Sequence, residues 1–121
     1  VILVDTSVWA QHIDREVVDL SDLLLTGEVL SHPFVVGELA MGNLRRRNAV
    51  LADFVLLPRA VCASDEETML LVERFHLYGT GIGYVDAHLL ASARISSAAS
   101  LWTFDRRLHA VAERLGLAFE P

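Results

Sequence analysis

The run Val1-Ile2-Leu3-Val4, ended by Asp5, constrains the fold of this chain more than any other stretch. Three of its four residues are β-branched. The run is too short for a helix, and it lacks the alternation of a strand with one wet face. A strand hidden on both faces is characteristic of the centre of a parallel sheet. It stops on a carboxylate followed by two hydroxyls, Thr6 and Ser7. Ligands of open α/β sheets bind at the carboxyl ends of the strands, so Asp5 stands where chemistry is expected. The plainer alternative is that Asp5 only caps the helix that follows.

Beyond Ser7 the pattern alternates between helical and extended stretches. Val8, Trp9, His12 and Ile13 have near-helical spacing, and residues 17–25 read as a second amphipathic helix ended by Gly27 at C′. Val29-Leu30-Ser31 is a short strand, and Pro33 opens a helix over 33–42. A further helix over 44–54 begins with Arg45-Arg46-Arg47, and Ala60-Val61-Cys62 is a strand candidate after the break at Pro58. Ser64 and Glu67 form a capping box for a helix reaching about Leu77. The run Gly79-Thr80-Gly81-Ile82-Gly83 is a hinge before a helix over 84–95. Leu101-Trp102-Thr103 is a strand, and Leu108, Val111, Ala112 and Leu115 mark a last helix stopped by Gly116, with 117–119 as an edge strand. Strands alternating with helices imply βαβ units. The expected fold is α/β, a three-layer α/β/α arrangement around a central parallel sheet.

A chain of 121 residues with 53% hydrophobic content is expected to form one domain, residues 1–121, with a full core. No run approaches the ~20 apolar residues of a membrane span. The start carries no secretory pattern, and the single Cys62 excludes an internal disulfide and a Cys-rich zinc site. A cytoplasmic protein without membrane partners is the expectation. Every basic side chain is Arg. The missing Lys speaks against phosphoryl-acceptor chemistry at a strand-end Asp, which enlists one. The net charge of −6 does not by itself exclude nucleic acid, because neutralising four acids would leave −2.

Four acids occupy unusual positions. Glu38 follows Phe34 by four residues and Val35 by three, and precedes Met41 by three; Asp86 precedes Leu89, Leu90 and Ala93 by three, four and seven. At helical spacing both would project from an apolar face. A carboxylate so placed costs several kcal/mol unless it is paired or bound to metal. Asp5 and Asp105 each follow a strand, where Asp is also a common helix N-cap. An Arg partner across the core is the alternative for Glu38 and Asp86. Taken together, four like charges at one sheet edge would force protonation, and a hard divalent cation, Mg²⁺ or Mn²⁺, resolves that conflict. Such a centre suits phosphodiester hydrolysis by a metal-activated water. Thr6, Ser7 and Thr103 are placed to orient the carboxylates, ordinary capping being their other role.

These residues lie in four segments: Val4-Asp5-Thr6-Ser7, Pro33 to Leu39 around Glu38, Tyr84 to Ala91 around Asp86, and Leu101-Trp102-Thr103-Phe104-Asp105. Their order, spacing and total length resemble the acidic motifs of PIN domains, most of all VapC-type toxins of bacterial toxin–antitoxin pairs. The resemblance spans essentially the whole chain. It implies a Mg²⁺- or Mn²⁺-dependent endoribonuclease, a homodimer, and inhibition by a cognate antitoxin in a hetero-oligomer. By motif, Asp5, Glu38, Asp86 and Asp105 would be the catalytic, metal-binding acids. The Gly-rich approach to the third motif is less typical of the family.

Arg45, Arg46 and Arg47 form the only basic cluster and, with Arg106 and Arg107 beside Asp105, are candidate contacts to RNA phosphates; a solvated helix start or a protein interface is the alternative. The Gly79–Gly83 run does not match the G-x-G-x-x-G dinucleotide fingerprint. The histidines at 12, 32, 76, 88 and 109 lack metal-ligand spacing, and Trp9 and Trp102 read as core or interface residues. Rival functions are a catalytically silent PIN-like module that binds RNA or protein, and a phosphatase acting on small phosphate esters.

Overall fold

The computed structural model describes residues 1–121. Its centre is a parallel sheet of β1 (Ile2–Val4), β2 (Val29–Leu30) and β3 (Ser100–Trp102), in the order β2-β1-β3. β1 is the middle strand, as its unbroken apolar run requires: Leu3 pairs with Leu30 on one side and Leu101 on the other, and both Leu3 and Val4 are fully buried. Single bridges extend the sheet at both edges, Ser31 with Arg59 and Leu101 with Ala118. The expected 117–119 edge strand is thus reduced to one bridge, held by Leu101 N–H to the Leu117 carbonyl and Phe119 N–H to the Leu101 carbonyl.

Seven helices surround the sheet: α1 (Thr6–Asp14), α2 (Val18–Leu25), α3 (Pro33–Met41), α4 (Arg47–Val55), α5 (Asp65–Arg74), α6 (Tyr84–Ile95) and α7 (Arg106–Arg114). The architecture is the three-layer α/β/α arrangement expected. α6 is the central helix. Residues 87–93 of it are all buried, and it lies against β1 and β3 with α5 outside it. The core is one contiguous cluster drawn from every strand and helix.

Helix ends follow their local chemistry. Gly27 and Gly116 have φ of +73° and +71°, and the next N–H in each case bonds back to the third-last helical carbonyl, Glu28 to Leu23 and Leu117 to Ala112. The Ser64–Glu67 capping box forms in both directions. α5 ends at Arg74, earlier than the apolar pattern through Leu77 suggested. Its stop is the same turn built without glycine: His76 takes φ +51° and Leu77 N–H bonds to the Val72 carbonyl.

Two expected elements are corrected. Ala60-Val61-Cys62 is not a strand. After the Arg59 bridge, the N–H groups of Val61 and Ala63 go to the hydroxyls of Ser96 and Ser92, which fasten this segment to α6. The helix expected from residue 44 begins only at Arg47, because Arg46 sits in the left-handed region at φ +53°. No helix is long and apolar enough to cross a membrane.

Candidate active site

Asp5 follows β1 and Asp105 lies three residues beyond β3, so both stand at the carboxyl edge of the sheet. Asp5 is 6% exposed, and its side chain does not cap α1. Instead Oδ2 accepts from Ser7 Oγ and Thr103 Oγ1, each at 2.7 Å. Those hydroxyls in turn accept backbone N–H groups from Phe104 and Asp105. Each hydroxyl has one proton, and both protons are committed to Asp5. The 3.2 Å approach of Ser7 Oγ to Thr103 Oγ1 is therefore a contact and not a further bond. The short sequences Asp5-Thr6-Ser7 and Thr103-Phe104-Asp105 interlock in this way.

Glu38 differs from its expected placement. It is exposed, and α3 turns Val35 and Leu39 to the core while Met41 is 88% exposed. The face inferred from Phe34, Val35 and Met41 was off by part of a turn, since Phe34 packs on His32 and His88 at the rim and Met41 not at all. The carboxylate lies at the boundary of the apolar stripe, with Oε1 held by Thr6 Oγ1 at 2.6 Å. Asp86 is half-buried in the first turn of α6, and Oδ2 accepts from Gly83 N–H at 3.1 Å. Burial pushes its pKa up. The Gly83 N–H opposes this, and the negative charges of Asp5, Asp105 and Glu38 add to the rise. The four acids thus share one electrostatic site. Asp105 is exposed and caps α7, Oδ1 accepting from the N–H groups of Arg107 and Leu108. Capping and membership of the cluster coexist in this residue.

Each acid therefore has one oxygen anchored by the protein and a second oxygen without a protein donor. No Arg approaches any carboxylate within salt-bridge distance; the ion pairs of the molecule are histidine contacts at His88 and His109. The Arg partner considered for Glu38 and Asp86 is thus absent. All the open donors are hard oxygens, which is the set preferred by Mg²⁺ or Mn²⁺. The cluster is splayed: no three of these acids bring ligand oxygens within 4.8 Å of one another, whereas His109 and Glu113 of α7 and Glu120 do. Mg²⁺ commonly uses one or two carboxylates and several waters, so an open cluster of this kind fits it.

Arg45 shares a cleft of about 320 Å³ with Thr6, Glu38 and Asn43. Arg45 and Arg46 also line a groove formed by α1, α2 and α4, which contains Asp53, and Arg47 reaches back to the Gly42 carbonyl at 3.5 Å. The triple-Arg cluster is therefore divided, with only Arg45 sharing a cleft with one of the four site acids. Arg106 adjoins Asp105 on exposed α7.

Sequence reasoning missed a buried polar link behind the site. His32 caps α3 by accepting Phe34 N–H at Nδ1, so Nε2 carries the proton towards Ser92 Oγ at 3.0 Å. Burial, with His88 and Arg59 adding to it, lowers the His32 pKa to about 4. Its signal was a His directly before the Pro at N1, an N-cap position for which histidine is not a favoured type. Trp9 and Trp102 are buried, as expected.

The fold and the acid cluster define an α/β domain with a carboxylate site at the carboxyl edge of a parallel sheet. Comparison with known proteins makes the class specific. The PIN domain family model matches residues 2–114. Ribonuclease VapC32 of Mycobacterium tuberculosis is 41% identical over 117 residues, which is 97% of this chain and 94% of that protein. Two solved structures share the fold. PAE2754 from Pyrobaculum aerophilum matches with a TM-score of 0.63 and 17% identity over 95% of this chain and 94% of that one. FitAcB from Neisseria gonorrhoeae matches with a TM-score of 0.62 and 21% identity over 93% of this chain and 94% of that one. The chain belongs to the PIN-domain family, in its VapC branch.

Proposed function

We propose that this chain is an endoribonuclease, the toxin of a toxin–antitoxin pair, which hydrolyses RNA phosphodiester bonds with Mg²⁺ or Mn²⁺ held by Asp5, Glu38, Asp86 and Asp105. The observation that carries this reading is the pairing of one anchored and one open oxygen on each of four acids, none of which forms a salt bridge with an Arg. The ribonuclease relative at 41% identity supports it. A bound ion would supply Lewis acidity, activating water for attack at phosphorus and neutralising charge on the leaving oxygen.

The residues of the chain do the positioning. Ser7 and Thr103 fix Oδ2 of Asp5 so that Oδ1 has a defined direction, and Thr6 does the same for Glu38. Gly83 N–H and the first turn of α6 hold Asp86, and the α7 cap holds Asp105. Arg45, beside Glu38, is positioned to meet a substrate phosphate. A cytoplasmic location, an antitoxin covering the acids and a homodimer complete the proposal. Exposed apolar side chains such as Leu25, Met41 and Leu56, each more than 80% exposed, are consistent with surfaces covered in an assembly.

The test is cleavage of a structured RNA pool with Mg²⁺, Mn²⁺ or EDTA, beside the Asp5→Asn variant. Metal-dependent cutting that disappears in a folded Asp5→Asn protein is expected. A fully active variant, or a folded wild type that neither cuts RNA nor binds divalent metal, would reject the proposal; in the second case a silent RNA- or protein-binding module takes its place.

A further inference from the structure

The groove between α7 and the Gly79–Gly83 loop has a volume of about 430 Å³ and is lined by Thr80, Arg106, Arg107, Ala110, Val111 and Arg114. Three of the ten Arg residues of a chain with net charge −6 therefore face one groove with no acid in its lining. None of them pairs with a carboxylate; Arg114 alone has a protein partner, donating from Nη2 to the Phe75 carbonyl at 2.8 Å. Arg107 and Arg114 are seven residues apart and share a helix face. From Arg106 to Arg114 the stripe runs about 12 Å at ~1.5 Å per residue.

Two features tie this groove to the acid cluster. Arg106 directly follows Asp105, so the stripe starts at the site. The opposite wall is the loop whose Gly83 N–H holds Asp86. Two residues earlier in that loop, Gly81 takes φ +89°, and a Cβ on it would fall 2.7 Å from Cδ and 2.9 Å from Nη1 of Arg107. The Arg107 side chain lies against bare backbone there. Gly81 thus has two reasons to lack a side chain, its dihedral and this close approach.

We infer that this groove is a phosphate-binding track for single-stranded RNA, which carries the strand away from the acids along α7 with Arg107 and Arg114 as its phosphate contacts. The inference rests on the ribonuclease reading and extends it to residues outside the acidic motifs. Arg guanidinium groups without carboxylate partners keep donors for bidentate phosphate contact, Arg114 with one nitrogen already bonded to the Phe75 carbonyl. An acidic protein needs such a local basic path to hold a polyanion, because its overall field opposes one.

The experiment is fluorescence anisotropy of a labelled single-stranded RNA on the Asp5→Asn protein in EDTA, from 50 to 200 mM salt, with Arg107→Ala, Arg107→Lys, Arg114→Ala and Gly81→Ala added singly. Arg15→Ala, at the exposed end of α1, is the control. Arg107→Ala and Arg114→Ala should each weaken binding about tenfold and reduce the salt slope by roughly 0.7, one phosphate contact on a single strand. Arg107→Lys should retain most of the slope, Gly81→Ala should weaken binding, and Arg15→Ala should change nothing. In the cleaving protein, Arg107→Ala should raise KM and leave kcat nearly unchanged. Wild-type affinity and slope in both alanine variants would overturn the track. So would binding of a polyglutamate peptide in place of RNA, which would assign the groove to an acidic protein segment. Metal-dependent cleavage with unaltered KM in the variants would remove the track and leave the nuclease standing. Arginine-dependent RNA binding by a chain that never cleaves would do the reverse.

Discussion

Thr103 donates its hydroxyl hydrogen bond to Oδ2 of Asp5 across 2.7 Å, joining positions 98 residues apart in the chain. The same hydroxyl accepts Asp105 N–H, so one side chain sets both the direction of the central acid and the path of the loop leading to Asp105. Thr103→Val keeps the shape and removes both bonds. Groups that orient metal ligands are worth about 10- to 100-fold in metal affinity or activity. The variant should therefore need about 10- to 100-fold more Mg²⁺ for half-maximal cleavage, with a stability loss on the order of 1 kcal/mol. A Mg²⁺ titration matching wild type would show that the hydroxyl only supports the fold.

Much of this arrangement was legible in the sequence, for identifiable reasons. The run before Asp5 and the strand before Thr103 placed two acids at one sheet edge, because strand ends are marked by abrupt loss of apolar residues. Gly27 and Gly116 marked their helix ends because the left-handed turn there favours glycine. Three features were hidden. The face of α3 was misjudged because Phe34 and Met41 are apolar without being core. The 60–62 segment reads as β, yet Val61 within it and Ala63 just after it donate to serine hydroxyls on α6 and its C-cap instead of to a strand, a tertiary preference that no local pattern records. The division of Arg45-Arg46-Arg47 depends on one left-handed residue, Arg46, which carries no glycine to announce it.

Asp86 predicts an opposition between stability and function. Its folded-state pKa is raised from 3.8, chiefly by burial and further by the other acids. The folded chain therefore holds this proton more readily than the unfolded chain. Ionisation destabilises the metal-free protein as pH rises from about 3.8 through the raised value, and the full penalty is present at neutral pH. Asp86→Asn should melt higher than wild type at pH 7 in EDTA, lose cleavage, and gain less from added Mg²⁺. Thermal melts of both proteins with and without Mg²⁺ make the comparison; a variant that melts lower in EDTA would contradict it.

His32 predicts a separate pH response. With a folded-state pKa of about 4 against 6.5 unfolded, it is buried neutral, and stability is complete above pH 6.5. As pH falls from 6.5 to about 4 the unfolded chain takes up the proton first, so this contribution is lost across that window. The difference between 6.5 and about 4 amounts to at most roughly 3 kcal/mol. His32→Asn keeps an oxygen to cap α3 and has nothing to titrate. Its urea midpoint should therefore fall less than that of wild type between pH 6.5 and 4.5. Parallel curves for the two proteins would remove His32 as the source.

Ser92 joins the supports of two acids. Its hydroxyl oxygen receives the His32 Nε2–H and the Ala63 N–H, each at 3.0 Å, and it is wholly buried on α6. His32 caps the helix that carries Glu38, while α6 carries Asp86. Ser92→Ala leaves two buried donors unpaired, and an unpaired buried donor costs about 1 to 3 kcal/mol. The variant should lose roughly 2 to 4 kcal/mol, somewhat less than two full penalties if water enters the space. Ser92→Ala combined with His32→Asn should cost less than the sum of the single changes, because one of the two orphaned donors has already gone. Additive losses in a double-mutant cycle measured by urea unfolding would mean that the His32–Ser92 bond contributes nothing. Cleavage by Ser92→Ala, measured well below its melting temperature, should fall modestly with Mg²⁺ dependence retained, since both acids keep their own hydrogen bonds to Thr6 and Gly83.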